Sequence, residues 1–190
     1  MTLETTLEAR LRRLEDRFEI DELIARYCLV MDNREVDAIG GLFTPDAHVW
    51  SADGVMNSRG REAAIEMFRG RFKVLGPSNH FTHDRIVQFD ANDPDRATGL
   101  VLSHAEMQRK GQPMLAAIRY QDAYQRHEGR WRFRERGLSF MYYVPTAEYL
   151  DAFGPGLDRR MRAYEQAMPA DWPEKLSTWQ RYYHPEKTES

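Results

Sequence analysis

Cysteine is nearly absent from this chain: Cys28 is the only one among 190 residues. A single thiol excludes an internal disulfide and a thiolate metal cluster. No apolar run approaches the roughly 20 residues that a membrane span needs. The stretch from Met1 to Glu19 is dense in charge and holds no hydrophobic core of the kind a secretory signal carries. Positive charge is not in excess either, since 27 Lys and Arg stand against 30 Asp and Glu. That balance provides no electrostatic footprint for nucleic acid and no basic face for an anionic membrane. The GxSxG elbow, the P-loop and the GxGxxG turn are all missing, which removes three common routes to an active site. A cytoplasmic protein with neither nucleic-acid nor membrane partners is expected.

What the chain does contain is apolar and aromatic mass, 42% and 12% of its residues, enough for one sizeable core. Leu3, Leu7, Leu11, Leu14 and Phe18 recur at spacings of three and four, and Ile20, Leu23, Ile24, Tyr27 and Met31 continue the pattern. This predicts one long helix or two consecutive ones over 3–32. The first stripe is narrow, like a coiled-coil seam, and points to a partner in another subunit. Short helices are predicted for Val36 to Phe43 and Arg61 to Phe72, with a turn at Thr44-Pro45-Asp46 and a short strand from Ala47 to Ser51. The period then changes to that of strands at 79–89, 96–109, 114–127 and 130–143, separated by turn compositions. Helices first and an antiparallel meander afterwards indicate an α+β fold with helices on one face of the sheet. Residues 1–143 form this domain. Residues 144–190 are an aromatic-rich extension, with a helix at Leu157 to Met168, that packs on the domain or on a neighbour.

Chemistry-bearing side chains are few. His80 and His83 fall in one strand three apart, so they point to opposite faces and make a poor chelating pair. Asp32 stands at the end of the first long helix, where the dipole disfavours a carboxylate. Asp32-Asn33 is either a polar helix terminus or a carboxylate placed to meet a histidine. In the second case it would set the tautomer of the ring and stabilise the imidazolium, which makes a general base. Cys28 lies in an apolar stretch and reads as core. Arg130 to Arg136 alternates Arg and Glu with Trp131 and Phe133, a strand with one solvated face.

From Leu14 to Leu138 the chain resembles the SnoaL-like branch of the NTF2-like superfamily. The resemblance rests on four pieces in order. The first is Glu19-Ile20-x-Glu22-Leu23-x-x-x-Tyr27-x-x-x-x-Asp32. The second is Leu42-Phe43-Thr44-Pro45-Asp46-Ala47. The third is Gly60-Arg61-Glu62-Ala63-Ala64-Ile65 followed by His80-Phe81. The last is Arg119-Tyr120-x-Asp122-x-Tyr124 with Gly129-Arg130-Trp131-Arg132-Phe133. The resemblance implies a cone, in which a curved antiparallel sheet wraps around N-terminal helices and leaves a pocket at its open end. Scytalone dehydratase, hexachlorocyclohexane dehydrochlorinase and bile-acid 7α-dehydratase, in this superfamily, use an Asp–His dyad as general base, and Asp32 and His80 stand at those positions. Tyr27 matches a tyrosine one turn before the Asp, and His104 matches a second polar position. Asp84 stands where many relatives have Asn. The first strand reads His48-Val49-Trp50-Ser51, without the tyrosine of scytalone dehydratase, which argues against scytalone as substrate.

The resemblance therefore implies a cofactor-independent, metal-free lyase or isomerase with dehydratase-like chemistry. Its catalytic residues would be Asp32, His80 and Tyr27. His104, Trp50, Phe68, Phe72 and Tyr120 would line a pocket for a small hydrophobic, ring-containing substrate. The superfamily also contains non-catalytic binding and assembly domains and the small subunits of ring-hydroxylating dioxygenases, so fold alone does not decide. A homodimer or homotrimer is expected, with Asp32 and His80 in hydrogen-bond contact and His83 turned away.

Overall fold

The computed structural model describes residues 6–154 and 160–185. Helix α1 (Leu7–Asp32) starts where the Thr6 hydroxyl accepts the Ala9 amide at 3.2 Å. Its second half buries Ile20, Leu23, Ile24, Tyr27, Cys28 and Met31 at helical spacing. Its first half does not: Leu7, Leu11, Leu14 and Phe18 are 80%, 54%, 55% and 73% exposed, so this stripe is uncovered in the single chain. Leu3 lies outside the described residues. The helix ends in a Schellman arrangement, in which the Glu35 amide donates to the Val30 carbonyl at 3.0 Å and the Arg34 amide to Met31 at 3.4 Å. Arg34 takes the left-handed position, φ +60°, that glycine usually fills.

Helix α2 (Val36–Leu42) runs directly into β1 (Phe43–Ser51), followed by β2 (Asn57–Arg59), α3 (Arg61–Phe72), β3 (Leu75–Phe89), β4 (Arg96–Arg109), β5 (Gln112–His127) and β6 (Arg130–Pro145). The turn expected at Thr44-Pro45-Asp46 is instead a slip of register inside β1. Phe43 pairs with Phe133 and His48 with Glu135, so pairing stops around the proline without reversing the chain. Strand β3 begins four residues before the expected 79. The hairpin turns Lys110-Gly111 and Glu128-Gly129 all have positive φ, as two-residue turns between right-twisted strands require.

The sheet order is β2-β1-β6-β5-β4-β3, with one parallel pair, β1 with β6, and antiparallel pairs elsewhere. Register shifts in β3 and β6 sharpen its curvature. The concave face closes on α1 and α3 through Ile24, Tyr27, Phe68, Val101, Tyr120 and Phe133.

The extension corrects a second expectation. No helix occupies 160–168; residues 157–159 lie outside the described set. Pairing with β1 ends at Leu138, which leaves the next stretch of β6 with a free edge. The extension fills that edge. Tyr143 donates to Arg160 at 3.0 Å, Arg162 to Tyr143 at 2.8 Å, and Asp171 to Phe140 at 2.8 Å. Satisfying buried strand amides outweighs local helix propensity here. Arg160, buried beneath this segment, donates to the Met141 and Trp172 carbonyls and pairs with Glu174 at 2.6 Å. A 3₁₀ segment, Thr146–Phe153, and a short helix α4, Ser177–Tyr183, complete the described chain.

Candidate active site

The helix terminus of α1 and the start of β3 meet at one carboxylate. Asp32 Oδ1 accepts from the Ser78 hydroxyl at 2.7 Å and lies 2.7 Å from His80 Nδ1, while Oδ2 accepts the His80 backbone amide at 2.8 Å. Burial raises the Asp32 carboxyl, but the hydrogen bonds from the His80 ring and amide, the charge of the ring and the Ser78 hydroxyl outweigh it. The group is held below its ordinary range. An ionised carboxylate at Nδ1 makes that nitrogen the donor and leaves Nε2 as the lone-pair nitrogen. Nε2 has no hydrogen-bond partner among the described residues, and the His80 ring lines the pocket.

Arg34 braces the same corner. Its guanidinium donates to the Met31 and Gly76 carbonyls and to Ser78 Oγ at 3.0 Å, and lies 4.6 Å from the Phe72 ring centroid. It thus covers helix carbonyls left open at the C-terminus and offsets the unfavourable placement of Asp32.

The pocket lies between α1, α3 and the concave sheet and opens to solvent at one end. Tyr27, Phe68, Phe72, Tyr120, Met107 and Phe140 form most of its wall. Tyr27 sits edge-on to Phe43, Phe68, Tyr120 and Phe133 at centroid distances of 5.8 to 6.4 Å. Burial pushes the Tyr27 phenol up to about 12, against the pull of Arg136, and raises Tyr120 as well. Both are therefore neutral hydrogen-bond donors near neutral pH. Neither hydroxyl has a hydrogen-bond partner among the described residues.

Beneath these rings lies a charge that the sequence reading put in solvent. Arg136 is fully buried, with its guanidinium carbon 3.9 Å from the Tyr27 and Tyr120 centroids and 4.3 Å from that of Phe133. Its carboxylate partner is Asp122, 3.8 Å away, and none of its three guanidinium nitrogens has a hydrogen-bond partner among the described residues. The irregularity in β5–β6 pairing explains the error: Tyr124 faces Phe133 but Ala123 faces Glu135. One residue of β6 is skipped, the alternation inverts, and Arg136 turns inward. Burial pushes the Asp122 carboxyl up to about 6 despite Arg136 and the Tyr124 hydroxyl.

Two expected pocket residues lie elsewhere. His104 is opposite Phe81 in the β3–β4 register, whereas His80 is opposite the buried Ala105. His104 therefore stands on the outer face, where its Nδ1 meets His83 Nε2 at 2.8 Å. Trp50 is also on the outer face. Its ring covers Gly137, and its Nε1 donates to Glu135 at 2.7 Å. Tyr27, Phe68, Phe72, Tyr120 and His80 line one cavity, with Asp32 behind His80. The sequence reading missed Ser78, Arg34, Arg71 and Arg136. Ser78 was accessible to it, because it lies two residues before His80 in one strand and shares its face. Among the described residues, no group of three or more His, Cys, Asp or Glu is placed to hold a metal ion.

The SnoaL-like domain model matches residues 12–137, about two thirds of the chain. The chain belongs to this family. Among curated proteins, this SnoaL-like chain is 26% identical over 141 residues to the gamma-hexachlorocyclohexane dehydrochlorinase of Sphingobium indicum, covering 72% of the chain and 88% of that protein. Among solved structures it resembles LinA, with a TM-score of 0.68 at 22% identity, over 73% of this chain and 94% of that one. It also resembles a scytalone dehydratase candidate from Novosphingobium aromaticivorans, with a TM-score of 0.67 at 16% identity, over 85% of this chain and 97% of that one. These structural likenesses place the SnoaL-like fold. No helix among the described residues is long and apolar enough to cross a membrane.

Proposed function

We propose that the protein is a cofactor-independent lyase or isomerase acting by general-base catalysis on a small, hydrophobic, ring-containing substrate. The observation that carries this reading is the His80–Asp32 contact at the wall of an aromatic pocket. The similarity to a dehydrochlorinase supports it. In an elimination, His80 Nε2 takes a proton from a carbon acidified by a neighbouring electron-withdrawing group. The C–H electron pair becomes the new double bond, and a hydroxyl or halide leaves with the electrons of its own bond. Asp32 retains the Nδ1 proton in hydrogen bond and stabilises the imidazolium. Tyr27 and Tyr120 donate to the departing group or to a developing oxyanion, and Arg136 behind their rings strengthens both as donors. One positioned base supplies about 10²–10⁴-fold, so the substrate must itself be activated. In an isomerisation the same proton returns at a different carbon.

The test is a panel containing gamma-hexachlorocyclohexane, other halogenated rings and β-hydroxy cyclic ketones, followed by halide release and by absorbance of the new double bond. Wild type should turn over at least one compound and remain unaffected by EDTA, and His80→Ala should be inactive with an unchanged circular dichroism spectrum. Full activity in His80→Ala would refute the dyad, and a wild type that turns over none of these compounds would leave the site to a binding domain or a dioxygenase small subunit.

A further inference from the structure

Among the described residues, one charge at the pocket has no counter-charge. Arg71, in the last turn of α3, lines the cavity, yet its guanidinium makes no hydrogen bond or ion pair among the described residues. The other nearby cations are engaged. Arg34 is held by backbone carbonyls and Ser78, Arg136 by Asp122 and three rings, and Arg109 by the Ala163 carbonyl at 2.9 Å. The nearby carboxylates are also engaged. Asp32 serves Ser78 and His80, and Asp53 takes the Ser51 and Tyr164 hydroxyls at 2.5 and 2.6 Å.

The helix dipole does not account for this side chain. A cation near the C-terminus of α3 is favourable, but Arg69 already supplies one from the outside, paired with Glu66 at 3.6 Å. Arg71 instead projects its charge into an apolar space. Burial raises the phenols of Tyr27, Tyr143 and Tyr164, and the charge of Arg71 opposes that rise in all three, so it stands close to each. A guanidinium among aromatic walls, half-shielded from water and without an acidic partner, matches a planar anion with two oxygens.

We propose that the substrate is a ring-bearing carboxylate whose anionic group binds Arg71 while its apolar body lies along Phe72, Tyr120 and Phe140. This rests on the pocket being the substrate site, as proposed above, but it does not depend on proton abstraction by His80. It separates this protein from a site built for a neutral ring, because an uncharged ligand leaves Arg71 without its partner.

The test uses acid–amide pairs of equal shape: cyclohexanecarboxylate, benzoate, trans-cinnamate and 1-naphthoate, each against its carboxamide. Isothermal titration at pH 7.5 and low salt gives both dissociation constants. At least one acid should bind wild type tenfold or more tightly than its amide, and the advantage should shrink as salt rises. Arg71→Leu and Arg71→Gln should abolish the preference, Arg71→Lys should keep part of it, and His80→Ala should keep all of it. The inference is overturned if no acid outbinds its amide in wild type, or if the preference survives in Arg71→Leu and Arg71→Gln. An anion preference intact in a protein whose His80→Ala variant still turns over would sink the dyad alone. A functioning dyad without the preference would sink this inference alone.

Discussion

Asp32→Asn is a sharp test because the three hydrogen bonds on that carboxylate cannot all survive in their present sense. Oδ1 faces the Ser78 hydroxyl and His80 Nδ1, and Oδ2 faces the His80 backbone amide. An asparagine has one oxygen and one NH₂. With the NH₂ toward the backbone amide, two fixed donors collide, and an unsatisfied buried donor costs about 1–3 kcal/mol. With the NH₂ toward His80 Nδ1, the ring switches tautomer and the Ser78 oxygen turns from donor to acceptor, so only the half-exposed Ser78 hydroxyl hydrogen loses its partner. The second orientation is the stable one, and stability should change by less than about 1 kcal/mol, given the modest net worth of each bond. The ring then carries its proton on Nε2 and has no lone pair for the substrate, so the roughly 10²–10⁴-fold contribution of the base is lost. Long-range ¹H–¹⁵N NMR of the imidazole reads the tautomer directly, and thermal unfolding reads the stability. If Asp32→Asn keeps Nε2 unprotonated, or retains wild-type turnover on a substrate that His80→Ala cannot process, the reasoning fails.

Asp122 sets a pH limb. Its folded carboxyl stands at about 6, above the unfolded value of about 3.9, so between these values the native state keeps a proton that the unfolded chain has released. Stability from this group is therefore full below about pH 4 and declines as pH rises to about 6, by on the order of 1–3 kcal/mol. Denaturant titrations should show that limb in wild type and not in Asp122→Asn; parallel curves would refute it. Gly137→Ala should cost about 1–3 kcal/mol, because the added methyl would stand 2.3 Å from the Trp50 ring. The cost should largely vanish in a Trp50→Ala background, and additive losses would contradict the contact. The exposed apolar stripe of α1 predicts a homodimer or homotrimer by light scattering at micromolar concentration. Leu11→Lys with Phe18→Lys should shift it toward monomer, and a monomeric wild type would remove the expectation.

The helical periods of α1 and α3 and the meander of four long strands were legible in the sequence, because each rests on local spacing; the pairing of Asp32 with His80 was implied only by the family resemblance. Strand alternation alone excluded His83 from sharing a face with His80. The same rule misplaced Arg136, since one skipped residue in β6 inverts the faces after it. His104 needed the register of β3 against β4, which only pairing decides. The extension followed no local signal, because the vacant edge of β6 that orders residues 160–171 exists only once β1 has ended. Arg71 is one of many arginines in the sequence. Its meaning comes from the absence of any acid among the described residues lining the cavity beside it, which no spacing along the chain encodes. Local sequence determined the elements; the tertiary structure brought Asp32 to His80 and decided which charges are buried, because both depend on what distant segments bring alongside.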